Sequence, residues 1–189
     1  RDKLVTGVQT CALPICFFYS DGGYIKLSDN FHVGLDLEVS MDIKPRSHSG
    51  VLLSVASAKE DYFLIQMVDG EIICSVNNGA GKVRTSLKPA RSNALCDGGW
   101  HNIKAVKAKN VVTLYVDGVP TYPGIGQAGI SSTDTNDPLY IGGIPVSYKG
   151  VETSEQYVGC IKEITLNKSL QSLNEGTIFG RVTNSCPKT

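Results

Sequence analysis

Hydrophobic and polar residues alternate with a period of two along much of this chain. From 35 to 43, Leu35, Leu37, Val39, Met41 and Ile43 fall on one side, and Asp36, Glu38, Ser40 and Asp42 on the other. That pattern predicts a half-buried antiparallel strand with its apolar row facing a core. Val112, Leu114 and Val116 share a face in the same way. Strands are predicted over 24–27, 35–43, 50–56, 62–68, 71–76, 82–87, 100–107, 111–116, 139–141 and 158–166. Turn chemistry agrees: Asp69-Gly70 reads as a tight hairpin, Asp117-Gly118 turns a later strand, and Asn78-Gly79-Ala80-Gly81 makes a looser bend. One short helix is predicted near 169–175. Many short strands without alternating helices indicate an all-β antiparallel sandwich or barrel.

The 189 residues are enough for one such sandwich with a substantial core. Eighteen Lys and Arg balance eighteen Asp and Glu. No global field therefore draws the chain to nucleic acid. No apolar run reaches the length of a transmembrane segment. There is no strand-to-helix glycine-rich loop for a nucleotide. Gly142 and Gly143 read instead as sites of close backbone packing.

The N-terminus departs from the rest. Residues 5–15, VTGVQTCALPI, resemble the in-frame translation of a common sequencing-library adapter. Residues 1–16 are therefore read as a non-native segment and 17–189 as the domain. Cys11 then drops out of any disulfide count, and Cys16 lies at the junction. Cys160 and Cys186 bracket the C-terminal segment, and a bridge between them would suit an extracellular protein. The alternative is a pair of buried thiols. Cys74, inside EIICSV, reads as a small core residue.

The ordered series GYIKLSDNFHVGLDLEVSMDIKPRSHSGVLLSVAS, VNNGAGKV, LCDGGWHNIKAVKAKNVVTLYVDG, DTNDPLYIGGIP, GCIKEITLN and SCP resembles a laminin G-like domain. NNGAG and DTNDP are most like the last G domain of a laminin alpha chain, and agrin, perlecan and neurexins share the order. The resemblance implies an antiparallel two-sheet jelly-roll sandwich, concanavalin-like in plan. It also implies a secreted basement-membrane adhesion module attached to a laminin-like parent chain. Ending soon after SCP suits a module at the C-terminal tip of a long protein. In the family Cys96 falls where a cysteine can pair outside the domain. Trp100 is expected to fill the core between the sheets, and His101 to be a structural hydrogen-bonding residue.

Carried over by position, the resemblance implies a calcium site. Asp61, at the end of SAKED, and Asp134, in SSTDTNDP, would supply carboxylates. The backbone carbonyls of Asn78 and Ser132 would complete the protein ligands. Calcium takes six to eight hard oxygens in loose geometry, so two carboxylates leave room for water or a ligand's oxygens. So few charges imply weak affinity, on the order of 10⁻⁴–10⁻³ M. Asp137, before Pro138, more simply sets a turn.

Basic residues gather softly. Lys104, Lys107 and Lys109 surround one hairpin, Lys88 and Arg91 lie in KPARSN, and Lys44, Arg46 and His48 alternate along KPRSH. By resemblance such surfaces bind heparan sulfate or sulfatide, and the domain would engage cell-surface glycans such as those on dystroglycan. Asn167-Lys168-Ser169 is an N-glycosylation sequon. Two other readings are weighed. A neurexin-like, agrin-like or perlecan-like G domain would bind a protein or a small apolar ligand such as a steroid, and the latter needs an open pocket between the sheets. A glycosidase needs paired carboxylates on one concave face. Asp36, Glu38 and Asp42 share a strand face, but no partner strand offers a match, so an enzyme is not expected.

Overall fold

Burial along the third strand repeats the sequence alternation: Leu37, Val39, Met41 and Ile43 are buried, and the residues between them are not. The computed structural model describes residues 15–188. Its strands are β1 (Ile15–Phe18), β2 (Tyr24–Phe31), β3 (Asp36–Pro45), β4 (Gly50–Ala56), β5 (Tyr62–Val68), β6 (Glu71–Asn77), β7 (Lys82–Leu87) and β8 (His101–Ala108). They continue as β9 (Val111–Val116), β10 (Val119–Pro120), β11 (Gly124–Ile125), β12 (Asp137–Ile141), β13 (Gly159–Leu166), β14 (Ser169–Leu170), β15 (Thr177–Phe179) and β16 (Val182–Thr183). One sheet runs β10-β9-β8-β3-β13-β1-β16, with β11 on β9 and β14 on β13. The other runs β15-β2-β12-β4-β5-β6-β7. All pairings are antiparallel, which is the expected two-sheet sandwich.

The core lies between the sheets. Phe18, Ile25, Met41, Phe63, Ile103, Leu114, Ile141 and Ile161 belong to one contiguous buried cluster. Cys74 and Cys16 are part of it. Burial pushes the Cys16 thiol up to about 11, and its Sγ–H reaches the Asn184 side-chain oxygen at 3.6 Å. Cys160 and Cys186 are bridged, 26 residues apart. Of the segment 1–16, only Ile15 and Cys16 lie within the described residues, and both pair in β1 with β13. Cys11 lies outside them.

β4 and β5 are buried on both faces, which explains their near-continuous apolar runs GVLLSVA and YFLIQMV. The second covering is the connection from β12 to β13. It folds across the outer face of the second sheet and packs Ile144, Tyr148 and Val151 on Val51, Tyr62 and Leu64. Gln66 clamps it: its Nε2 donates to the Gly150 carbonyl at 3.2 Å, and its Oε1 accepts the Glu152 N–H at 2.9 Å. Gly142 begins this connection at φ 78°, where a Cβ would stand 2.2 Å from the Phe18 ring, so only glycine fits.

Three expectations are corrected. Leu35 is 51% exposed, because the strand begins one residue later. Segment 169–175 is the strand β14 followed by a single 3-10 turn, Leu173–Glu175. Trp100 is half-buried and lies outside the core. Alternation in β8 gives the core positions to Ile103 and Ala105, so Trp100 shares the parity of Asn102 and Lys104 on the outer face. There the Lys162 and Lys44 ammonium groups stand 4.2 and 5.8 Å from its ring centre.

Candidate divalent-cation rim

Three loops meet at one rim of the sandwich. Asp61 closes the β4–β5 connection, Asn78 opens the β6–β7 turn, and Ser132 and Asp134 lie ahead of β12. Asp61 is 8% exposed, and its Oδ2 accepts the Asp134 backbone N–H at 2.6 Å. The Ser132 hydroxyl donates to Asp134 Oδ1 at 2.7 Å, and the Thr133 hydroxyl donates to Asn78 Oδ1. The four residues singled out from sequence are thus brought together.

Local structure fixes each loop. Asn77 Oδ1 accepts the N–H groups of Gly79 and Gly81 at 2.8 and 3.3 Å, which curls the turn. Gly79 adopts φ 91° and faces Asp61, where a Cβ would lie 3.5 Å from Oδ1. The 130–135 loop is tied down by reciprocal backbone bonds between Gly34 and Thr133 at 3.0 Å. Thr135 Oγ1 adds bonds from the Val33 N–H and to the Phe31 carbonyl.

The donor set suits a hard cation. One Asp61 oxygen and one Asp134 oxygen are engaged in the hydrogen bonds above. The backbone carbonyls of Asn78 and Ser132 accept no hydrogen bond from the described residues. Two carboxylate side chains and two free carbonyls on a partly exposed rim are all-oxygen ligands of the kind calcium takes. No group of three or more His, Cys, Asp or Glu gathers among the described residues.

Sequence reasoning missed the charge behind this rim. Lys107 is 1% exposed, and its ammonium donates to the carbonyls of Gly34 and Leu35 at 2.9 Å and of Ser131 at 2.7 Å. Burial pushes it down to about 8, while the carboxylates of Asp36, Asp134 and Asp61 pull the other way. It is therefore not part of a surface basic patch, and that expectation is corrected. Alternation could have found this: Lys107 has the same parity as Ile103 and Ala105, whereas Lys104 has the opposite one. Lys104 lies outside, 3.7 Å from Glu38 and 5.4 Å from the Tyr115 ring centre. Lys109 sits in the β8–β9 turn at φ 56°, and Lys88 and Arg91 are exposed between β7 and β8. Asn167 is exposed at the β13–β14 hairpin, where its Oδ1 accepts the Glu38 N–H at 2.9 Å. Cys96 is a half-buried free thiol whose Sγ–H donates to the Ser47 carbonyl at 3.3 Å.

Residues 43–169 match the model of the Laminin G domain family. The chain belongs to that family. Laminin subunit alpha-1 of Mus musculus is 35% identical over 178 residues, which cover 90% of this chain. Laminin subunit alpha-4 of Mus musculus is 33% identical over 198 residues, covering 98% of it. The matched stretch is only 6% and 11% of those two relatives, so the domain spans a small part of either. In structure it superposes on domains LG4-5 of the mouse laminin alpha1 chain with a TM-score of 0.84 and 33% identity. That match covers 94% of this chain and 48% of the other. A SAP-like pentraxin from Limulus polyphemus shares the sandwich at TM-score 0.59 and 14% identity, over 86% of this chain and 80% of the other, a likeness of fold alone.

Proposed function

We propose that this laminin G domain is a non-catalytic, secreted adhesion module of the extracellular matrix or basement membrane, part of a laminin-like parent chain. It engages acidic cell-surface glycans through a calcium ion at the rim. The observation that carries the reading is the convergence of Asp61 and Asp134 on a rim shared with Asn78 and Ser132, whose carbonyls accept no hydrogen bond from the described residues. Asp61, Asp134 and the carbonyls of Asn78 and Ser132 would hold the ion. A bound calcium supplies positive charge and open positions for a glycan's carboxylate or sulfate oxygens. Two carboxylates are a low ligand charge, in keeping with affinity on the order of 10⁻⁴–10⁻³ M.

The partners that suit such a rim are a dystroglycan-like glycoprotein receptor, heparan sulfate and sulfatide. Exposed Lys109, Lys88 and Arg91, with half-buried Lys104, are cations available to an extended polyanion. A steroid-carrier role is less favoured, because contiguous apolar side chains fill the space between the sheets. Calorimetry tests the proposal. Calcium should bind the wild type and be lost in Asp61→Asn and Asp134→Asn. A glycan array should show binding that a chelator abolishes. Unchanged calcium binding in both variants would refute the site.

A further inference from the structure

The outer face of the second sheet holds a groove that the rim does not use. It lies between the β4–β5 connection and the β6–β7 turn, the two segments that present Asp61 and Asn78 on their other side. Alternation separates the two: Asp61 turns to the rim, and Tyr62 turns to the groove. The cavity is about 370 Å³, within the range of small-ligand sites. Its apolar lining comes from Ala56, Ala58 and the rings of Tyr62 and Tyr148, whose centres lie 5.4 Å apart.

The floor is rigid. Tyr148 shares a 2.7 Å hydrogen bond with Ser54, and the connection carrying it is clamped by Gln66. Polar groups stand around this apolar floor. The Asn77 amide oxygen is occupied by Gly79 and Gly81, which leaves its Nδ2 as a donor. Lys149 and Glu60 are exposed at the edge without ion-pair partners among the described residues. Lys82 is held by Glu152 at 2.9 Å, which neutralises it. Beyond Tyr148 a second cavity of about 380 Å³ continues past Ile144, Pro145 and Val146, so the groove is longer than one ring.

The geometry points to a saccharide subsite: the Tyr62–Tyr148 groove takes a neutral pyranose residue of a glycan. A pyranose has an apolar C–H face to lie against the half-buried Tyr148 ring, which is backed by the buried Tyr62, and a rim of hydroxyls that both donate and accept. Asn77 and Lys149 supply donors, and Glu60 supplies an acceptor. A steroid would satisfy only the floor. With Lys82 paired to Glu152, Lys149 and Glu60 balance, so the lining carries no net charge to draw a polyanion. The inference extends the glycan-binding reading above, since a chain held at the rim could run into the groove, but the subsite itself needs no calcium.

The test is an NMR titration of the isotope-labelled chain with the methyl pyranosides of glucose, galactose and mannose, in calcium and again in chelator. At least one sugar should shift Ala58, Tyr62, Tyr148 and Lys149 saturably, and the shifts should persist in chelator and in Asp61→Asn. Loss of the ring in Tyr148→Ala should weaken binding about tenfold. Tyr148→Phe should bind as the wild type does. Should Tyr148→Ala fail to fold, the exposed Lys149→Ala should still weaken binding about fivefold. No saturable shift from any of the three sugars overturns the subsite, as do shifts confined to other surfaces or full binding by the folded variants. Uptake of N-acetyl-leucinamide in place of every sugar would assign the groove to a protein side chain and equally overturn it. Loss of calcium binding in Asp61→Asn bears only on the rim, so the two readings fail separately.

Discussion

Replacing Lys107 by methionine removes the buried cation and keeps most of the apolar stem. The carbonyls of Gly34 and Leu35 each retain one other bond, from the N–H groups of Thr133 and Lys109. The Ser131 carbonyl has no other hydrogen bond among the described residues and would be orphaned. An orphaned buried acceptor costs about 1–3 kcal/mol, and each lost second bond about 0.5 kcal/mol. Relief from burying an ammonium offsets part of this, so the variant should lose about 2 kcal/mol at pH 7. The pH dependence sharpens the test. Lys107 titrates at about 8 in the fold against 10.5 when unperturbed. Across that window the unfolded chain binds the proton more tightly, so the wild type's stability rises with pH. From pH 7 to 9.5 linkage gives the wild type up to about 2 kcal/mol that the methionine variant cannot gain. Urea unfolding at the two pH values measures both quantities, and the gap between the proteins should widen at the higher pH. A variant within about 0.5 kcal/mol of wild type at both values, or a gap that narrows, would refute the reasoning.

Two further outcomes follow from the packing and the hydrogen bonds. Gly142→Ala would force a methyl group into the Phe18 ring at a left-handed backbone position, and should cost about 3 kcal/mol in thermal or urea unfolding. For His101, burial alone would lower the pKa, but hydrogen bonds to Asp117 at 2.7 Å and Asp97 at 3.0 Å outweigh it and raise it. That contribution is fully present below the unperturbed value of 6.5 and is lost as pH rises through the folded value. His101→Gln should therefore be less stable than wild type at pH 5.5, and the difference should shrink by pH 8.

Much of the fold was legible because a half-buried strand writes its two faces into alternate positions. The strands β4, β5, β7 and β9 fall at the expected residues, and Asp69-Gly70 and Asp117-Gly118 turn where their left-handed backbones allow. The strands missed are mostly short: β10, β11, β14 and β16 are two residues each and carry no period to read. Trp100 was misplaced because residue type was weighed above parity. The same neglect hid Lys107, whose position in the alternation assigns it to the core face although its chemistry suggests the surface.

The sequence by itself determined the all-β class and the family; it favoured the bridge between Cys160 and Cys186, and the family resemblance pointed to the four residues that gather at the rim. These depend on local period, turn chemistry and ordered motifs, which are properties of neighbours along the chain. Only the tertiary structure decided what lies behind and beside that rim. Lys107 became an internal cation because three carbonyls from two separate segments converge on it. Tyr62 and Tyr148 became a groove because the β12–β13 connection folds back across a sheet more than eighty residues earlier in the chain. Contacts of that range depend on which surfaces the folded sheets present to each other, and no local pattern encodes them.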